Sequence, residues 1–483
     1  MFKKHILVLI AIIVIASLIA CTKPVDDTEH LAKANQYAAQ AKWDEAIAEY
    51  SEAIKLNPVS LMAYFRRGAV YLKKEQYDQA IADFSKALQI DPNNADIYVN
   101  RASIYFTRGK PELALADLNR AITIKPDYAL AYNGRGVYHA IKEQWEPALA
   151  DFNKAIQFDP RLASAYRGRC EIYIRQNKLD DAMVNANKWI ELTPNDAQSH
   201  GYRGIIRSYK KEFELAIVDY TRAIELNPNY TDAYANRGIS YINNNKLDLA
   251  IADLSTAIKL APELKSAYSY RGDCYMRKGK FDEALADYDK LIELTPNSAE
   301  AYSSRGKAFT QKEQYDLALA DFKKALELNP ELADTYYGLG LMYLKQQEFD
   351  KAIAELEKAI KKRPDFADAY LRKSDAYRLK GAPDLALKDI NKVIELAPNF
   401  AGGYFSRGYI YFSMNQQNNA TSDFTKTIEL DANSDRAYYF RGLVYYNAGK
   451  MEAAITDFRK ALEISTDENF KSEVDKIIKQ ITR

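Results

Sequence analysis

The hydrophobic and polar positions of this chain repeat every 34 residues from near its start almost to its end. Proline marks the period: Pro58, Pro92, Pro126, Pro160, Pro194, Pro228, Pro262, Pro296, Pro330, Pro364 and Pro398 stand 34 residues apart without a slip. Counting back from each proline gives thirteen units, the first starting at residue 27 and the last running to about 468, with Ala432 and Thr466 replacing proline in the final two. Within a unit, position 20 is Ala in all thirteen, position 4 is Tyr in eleven, position 8 is Gly in nine and position 11 is Tyr in ten. Positions 4, 8 and 11 share one face of a helix, and positions 20, 24 and 27 share a face of a second. Each unit therefore predicts two amphipathic helices meeting along their apolar stripes. Gly opposite Ala lets the two backbones approach closely. Proline stops the second helix, because it lacks a donor and pushes the residue before it out of helical geometry. After the last unit, Phe470, Val474, Ile477, Ile478 and Ile481 form the stripe of one more helix, with Ser465 and Glu468 spaced as a capping box.

This unit, with its period of 34 and its Gly, Ala and Pro, resembles the tetratricopeptide repeat (TPR). The resemblance covers residues 27–468, about nine-tenths of the chain. It implies an all-α fold, a TPR solenoid forming a right-handed superhelix of about thirteen repeats, with residues 469–483 as a capping helix over the open end. Tyr at position 4, where Trp is common in the family, and Arg at position 7, where Leu is common, leave that expectation intact. Members of the family generally bind proteins or peptides, and positions 2, 5, 9 and 12 of their first helices line a concave groove.

The arginine at position 7 occurs in ten units, and in nine of those ten position 23 is Asp, the exception being Asn185. Arg237 with Asp253 represents the pattern. A planar guanidinium can be met by two carboxylate oxygens, so the spacing predicts a structural latch between neighbouring helices. Recurrence in nearly every unit suits packing better than a single ligand site.

The first twenty residues differ from all that follow. Lys3 and Lys4 precede an apolar run over residues 6–20, which is the layout of a secretory signal peptide and is short for a membrane span. The run ends in LIAC at residues 18–21, which resembles the lipobox of bacterial lipoproteins. That resemblance implies a signal peptide over 1–20, a lipid on Cys21 that holds the chain to a membrane, and a tether over 21–26. Thr22 stands where Asp would signal inner-membrane retention, so the outer membrane is favoured, with the chain facing the periplasm. An uncleaved anchor with an incidental cysteine is the alternative.

Composition narrows the function classes. Lys and Arg number 67 against 66 Asp and Glu, which leaves no basic field for nucleic acid and no acidic field for basic partners. Positions 4 and 11 account for 21 of the 36 tyrosines, so the aromatic richness is mostly architectural. The histidines are scattered, the glycines sit mid-helix, and no Ser or Cys has a base at recognisable spacing. No metal, cofactor or catalytic residue is expected. Cys170 and Cys274, about three units apart at ~9 Å per helix layer, are too distant for a disulfide and read as small buried residues.

The groove positions are where a partner is expected. Arg167 and Glu171, Ser269 and Asp273, and Asp375 and Arg378 occupy them in the fifth, eighth and eleventh units. The twelfth and thirteenth carry surplus aromatics, Phe405, Tyr409 and Phe412, then Tyr439 and Tyr446, which suit an anchor site for a peptide. The competing expectation is that the last helix folds over them or that they simply thicken the end of the stack. Together these features point to a non-enzymatic, membrane-tethered scaffold for periplasmic proteins or peptides in envelope assembly, secretion or cell-wall processes. Glycan or polysaccharide binding by groove aromatics is the alternative.

Overall fold

A computed structural model of the chain describes residues 26–482. The expected signal segment and Cys21 lie outside these residues. Among the described residues there are twenty-seven helices, numbered α1 to α27 in chain order, and no strands. Odd-numbered helices to α25 are the first of each repeat and even-numbered ones to α26 the second. In the second repeat these are α3 (Leu61–Lys73) and α4 (Tyr77–Ile90). The chain divides at Ser240 and Tyr241 into two compact units, with the boundary falling inside α13 (Thr231–Asn243).

The periodicity accounts for each helix pair. The invariant Ala of position 20 is fully buried in all thirteen repeats, and the large or small apolar residue at position 24 is no more than 1% exposed in any. Position 8 needs glycine where an aromatic ring lies across it: a Cβ at Gly272 would stand 2.7 Å from Tyr288 Cε1. The second helix ends as proline requires, with the preceding residue extended, as at Asn57 (φ −129°, ψ 87°) before Pro58. Position 4 tyrosines cross this turn. Tyr166, Tyr268, Tyr336 and Tyr404 donate their hydroxyls to the carbonyls of Pro160, Pro262, Pro330 and Pro398 at 3.1–3.2 Å. His200 Nε2 takes the same place on the Pro194 carbonyl at 3.1 Å.

The turn inside each repeat corrects the expectation that the glycines sit mid-helix: Gly109, Gly279, Gly381 and Gly449 lie in it, at a position that is Gly in four repeats and Asn in three. Position 15 adopts a left-handed conformation throughout, at φ 55–61° in nine non-glycine residues from Ala41 to Asn415 and at φ 65–80° in Gly109, Gly279, Gly381 and Gly449. Glu75 N–H then reaches Leu72 O at 3.0 Å and Gln76 N–H reaches Tyr71 O at 2.9 Å, a Schellman closure of α3. Those bonds offset the ~1 kcal/mol that a side chain costs at positive φ.

The position 7 arginines join three helices. Arg67 Nε and Nη2 each donate to an Asp83 oxygen at 2.8 Å, while Nη1 donates to Ser51 of the preceding repeat at 2.8 Å. Its guanidinium also lies 5.8 Å from the ring centroids of Tyr64 and Tyr71, the position 4 and 11 residues on either side. In the first unit Arg101, Arg135 and Arg203 repeat this on Asp117, Asp151 and Asp219. In the second, Arg271, Arg305, Arg407 and Arg441 do so on Asp287, Asp321, Asp423 and Asp457. Arg237 at the end of the first unit donates Nη1 to Thr221 at 2.9 Å, and Asp253 is buried in the second. Asn185 breaks the pattern by donating to the Asp181 carbonyl instead, and the Nε of Arg169 is buried without a hydrogen-bond partner. In the tenth repeat Leu339 replaces the arginine, and in the eleventh Lys373 meets Asp389 at 3.2 Å.

The C-terminal end corrects two expectations. Helix α27 (Glu468–Ile481) is capped by Asp467, whose side chain accepts from Asn469 and Phe470 N–H, so Ser465 and Glu468 do not form the capping box. Phe470 and Val474 are buried against α25 (Asp435–Asn447) and α26 (Met451–Ile464). Tyr439 is 8% exposed beneath them, its ring 5.2 Å from Phe470 and its hydroxyl donating to Glu473 at 3.0 Å. It belongs to the core under the last helix, not to an open groove.

Two outcomes follow from this packing. Asp287→Ala strands Arg271 in a mostly buried site, and should cost about 3 kcal/mol, read as lost amide protection in α15 (Lys265–Arg277) and α16 (Phe281–Leu294). Removing Arg271 as well should recover part of that loss, whereas additive losses would show the pair to be uncoupled. Tyr439→Ala should lower protection across α27 by about a hundredfold or more. Tyr446→Ala, at an exposed position, should leave it unchanged.

Candidate functional site

Positions 4, 7, 8 and 11 of each first helix are taken by packing and latches, and positions 3 and 10 are mostly buried as well, as at Ile97 and Ile104, so open surface is lined chiefly by the side chains that remain. In the second unit they build two pockets. The first, of about 330 Å³, lies between α21 (Ala367–Leu379), α23 (Ala401–Ser413) and α25, and is lined by Asp375, Arg378, Phe405, Tyr409, Ile410, Arg436 and Phe440. The second, of about 440 Å³, is lined by Tyr337, Leu341, Leu344 and Lys345 of α19 (Ala333–Lys345) and by Arg372, Asp375, Arg378 and Leu379 of α21. Asp375 and Arg378 are common to both.

Phe440 organises the aromatic part. Its ring is met edge-on by Tyr409 at 5.1 Å, Phe405 at 5.9 Å and Phe412 at 5.8 Å, and it stacks on Phe424 at 5.9 Å. Sequence spacing missed it, because position 6 is not one of the expected groove positions; its excess of aromatic neighbours was the available signal. Of the five expected aromatics, Phe405 and Tyr409 line the pocket. Phe412 packs with Phe405 against buried Phe424 and Val444, Tyr446 stands exposed, and Tyr439 is covered.

Charge is unevenly matched here. Arg372 Nη1 lies 3.2 Å and Arg378 Nη2 3.9 Å from the Asp375 carboxylate, so one acid is divided between two guanidiniums. Burial in the wall pushes the Asp375 carboxyl above its usual range, against the pull of both arginines. Arg378 also lies 5.3 Å from the centre of the Tyr409 ring. Further along the same unit Asp273 accepts the Tyr288 hydroxyl at 2.7 Å.

The first unit carries a different lining. A pocket of about 480 Å³ is bounded by Val137 and Ile141 of α7 (Ala129–Ile141), by Trp145, and by Arg167, Glu171 and Arg175 of α9 (Ala163–Arg175). A neighbour of about 500 Å³ adds Tyr202, Ile205 and Tyr209 of α11 (Ala197–Tyr209). Arg167 donates to Glu171 at 2.8 Å, so the pair expected in this groove is internally neutralised.

Cys170 and Cys274 are free and fully buried, and burial pushes their thiols up to about 12 and about 11. Among the described residues, no group of three or more His, Cys, Asp or Glu side chains is placed to hold a metal ion, and no helix is long and apolar enough to cross a membrane.

Comparison with known proteins agrees with this architecture. Family models of the tetratricopeptide repeat match residues 62–94, 197–230 and 435–465, 337–399, 84–116 and 219–252, and 401–434. A related model described as TPR repeat matches 34–75, 102–141, 272–312 and 306–347. A segment of 47 residues, 10% of the chain, is 40% identical to the Hsp70-Hsp90 organising protein of Plasmodium falciparum, and spans 8% of that protein's length. Among solved structures, yeast Tom70 is 19% identical, with 94% of this chain and 95% of that one covered, at a TM-score of 0.43. The APC/C hetero-tetramer Cut9–Hcn1 is 12% identical, with 89% and 98% covered, at 0.45. A tetratricopeptide repeat protein from Parabacteroides merdae is 22% identical, with 51% and 98% covered, at 0.45. Period, helix pairing and family models together place the chain in the tetratricopeptide-repeat family.

Proposed function

We propose that this protein is a scaffold that binds other proteins or peptides along the inner faces of its first helices, held to a bacterial membrane by a lipid on Cys21. The observation that carries the binding reading is the pair of pockets in the second unit. They share Asp375 and Arg378, so a single extended ligand engages both, and they combine aromatic walls with fixed charges, the mixture that dominates interface energy. The tether reading rests on the sequence: basic residues, an apolar run and LIAC at 18–21 fall in the order that lipoprotein processing needs. Thr22 after the cysteine favours the outer membrane, and the array then serves periplasmic partners in envelope assembly, secretion or cell-wall processes.

A second reading, glycan or polysaccharide binding, is favoured at one place. The first unit's pockets set Trp145, Tyr202 and Tyr209 beside a charge-neutral Arg167–Glu171 pair, a surface that suits an uncharged polar chain. Photo-crosslinking residues placed at Leu341 and Ile141 in intact cells separate the two. Protein adducts at Leu341 support the scaffold, and glycan adducts at Ile141 with none at Leu341 support the alternative. For the tether, Cys21→Ser should yield unlipidated protein in the soluble fraction, because the acyl chains supply the anchoring. Retention through high-salt washing with residues 1–20 still attached would mean an uncleaved span.

A further inference from the structure

Building on the protein-binding reading, we propose that the groove across α19, α21, α23 and α25 selects an acidic peptide segment bearing one large apolar side chain. Charge supplies the first argument. Lys345, Arg372 and Arg378 face the joined pockets, with Asp375 as the carboxylate between them. Arg436 is partly matched by Asp467 at 3.7 Å, so it adds little to the surplus. Asp334, the acid on the neighbouring rim, is taken by Arg363 at 3.1 Å, whose guanidinium lies 3.5 Å from the centre of the Phe366 ring. Asp368 at the start of α21 also acts on Tyr337 in the wall, and the Tyr337 hydroxyl bonds Arg372. Lys345, Arg372 and Arg378 still outnumber Asp375 and Asp368, and the guanidiniums keep N–H donors that Asp375 and Tyr337 cannot fill.

Shape supplies the second. The 330 Å³ pocket, with Phe405, Ile410 and Phe440 as its apolar walls, is near the small end of the range for ligand pockets, about 300–1,000 Å³, which suits one anchoring side chain. Because Arg378 lines both pockets, a carboxylate held there has its apolar neighbour within reach of that pocket. The first unit provides an internal contrast: its cations Arg167 and Arg175 share their pocket with Glu143 and Glu171, so it has no such preference.

The test uses the full-length protein in detergent and three synthetic dodecapeptides, all amidated so that no terminal carboxylate contributes. One carries two adjacent Glu and a Phe four residues on, the second has Lys for both Glu, and the third has Ala for Phe. The Glu–Phe peptide is expected to bind about tenfold tighter than either of the others, and to weaken as salt rises from low to physiological strength. Arg378→Glu should invert the preference between the Glu and Lys peptides. Lys345→Gln, at an exposed rim position, should weaken only the Glu peptides while leaving the thermal transition unchanged. Arg175→Gln in the first unit should change nothing. Equal binding of the Lys peptide, indifference to salt, loss through Arg175→Gln, or no binding by any peptide overturns the proposal. If protein crosslinks still form at Leu341 in cells, the scaffold reading survives that failure; if they too are absent, both fall.

Discussion

The position 7 arginine, present in ten of the thirteen repeats, is the interaction that orders most of the array. Ala, Gly and aromatic packing seats a helix pair, but apolar contact by itself is weakly directional. A guanidinium bonded through Nε and Nη2 to one Asp supplies direction, since two parallel hydrogen bonds fix both distance and angle. Its third nitrogen, reaching Ser51 from Arg67 or Ser255 from Arg271, fixes the next pair in turn. Register is therefore set inside a repeat and between repeats by the same side chain.

This explains why tyrosine is so abundant at positions 4 and 11. The two rings flank the guanidinium above and below on the same helix, as Tyr98 and Tyr105 do for Arg101 and Tyr438 and Tyr445 for Arg441. They shield a charge pair that would be costly if half-hydrated, and at Tyr166, Tyr268, Tyr336 and Tyr404 the position 4 hydroxyl still finds a carbonyl. The exceptions fit the same logic. Where Leu339 replaces Arg, it packs with Ala318 and Phe322 of the preceding repeat, and Glu355 at position 23 pairs with Lys358 instead. Where Asn185 replaces Asp, the arginine remains with an unsatisfied nitrogen, which is the more awkward arrangement.

The same economy separates binding surface from core. Positions that pack a repeat's own helix pair, above all the Ala of position 20, recur along the chain, while the residues that line the pockets vary. The first unit's pocket is thus neutral and mixed beside Trp145, and the second unit's is cationic and aromatic beside Phe440. The array repeats its skeleton and leaves its chemistry local.

Much of this was legible in the sequence. The period, the thirteen helix pairs, the extra C-terminal helix and the pairing of positions 7 and 23 all follow from spacing, because contacts within a repeat recur at fixed short separations and a periodic chain states them many times over. Other features depended on the tertiary structure. The left-handed residue at position 15 left only a partial signature, Gly in four repeats and Asn in three, since Glu, Lys, Gln and Ala also serve when a Schellman closure holds them. Whether an aromatic is open or covered depended on which helix crosses it: α27 buries Tyr439, whereas Phe405 and Tyr409, at equivalent groove positions, face a pocket. Phe440 became its centre only through side chains brought in from α23 and α24 (Gln417–Leu430). Periodicity fixes what every repeat shares, and a binding site is made from what neighbouring repeats do not share, which exists only once they are packed side by side.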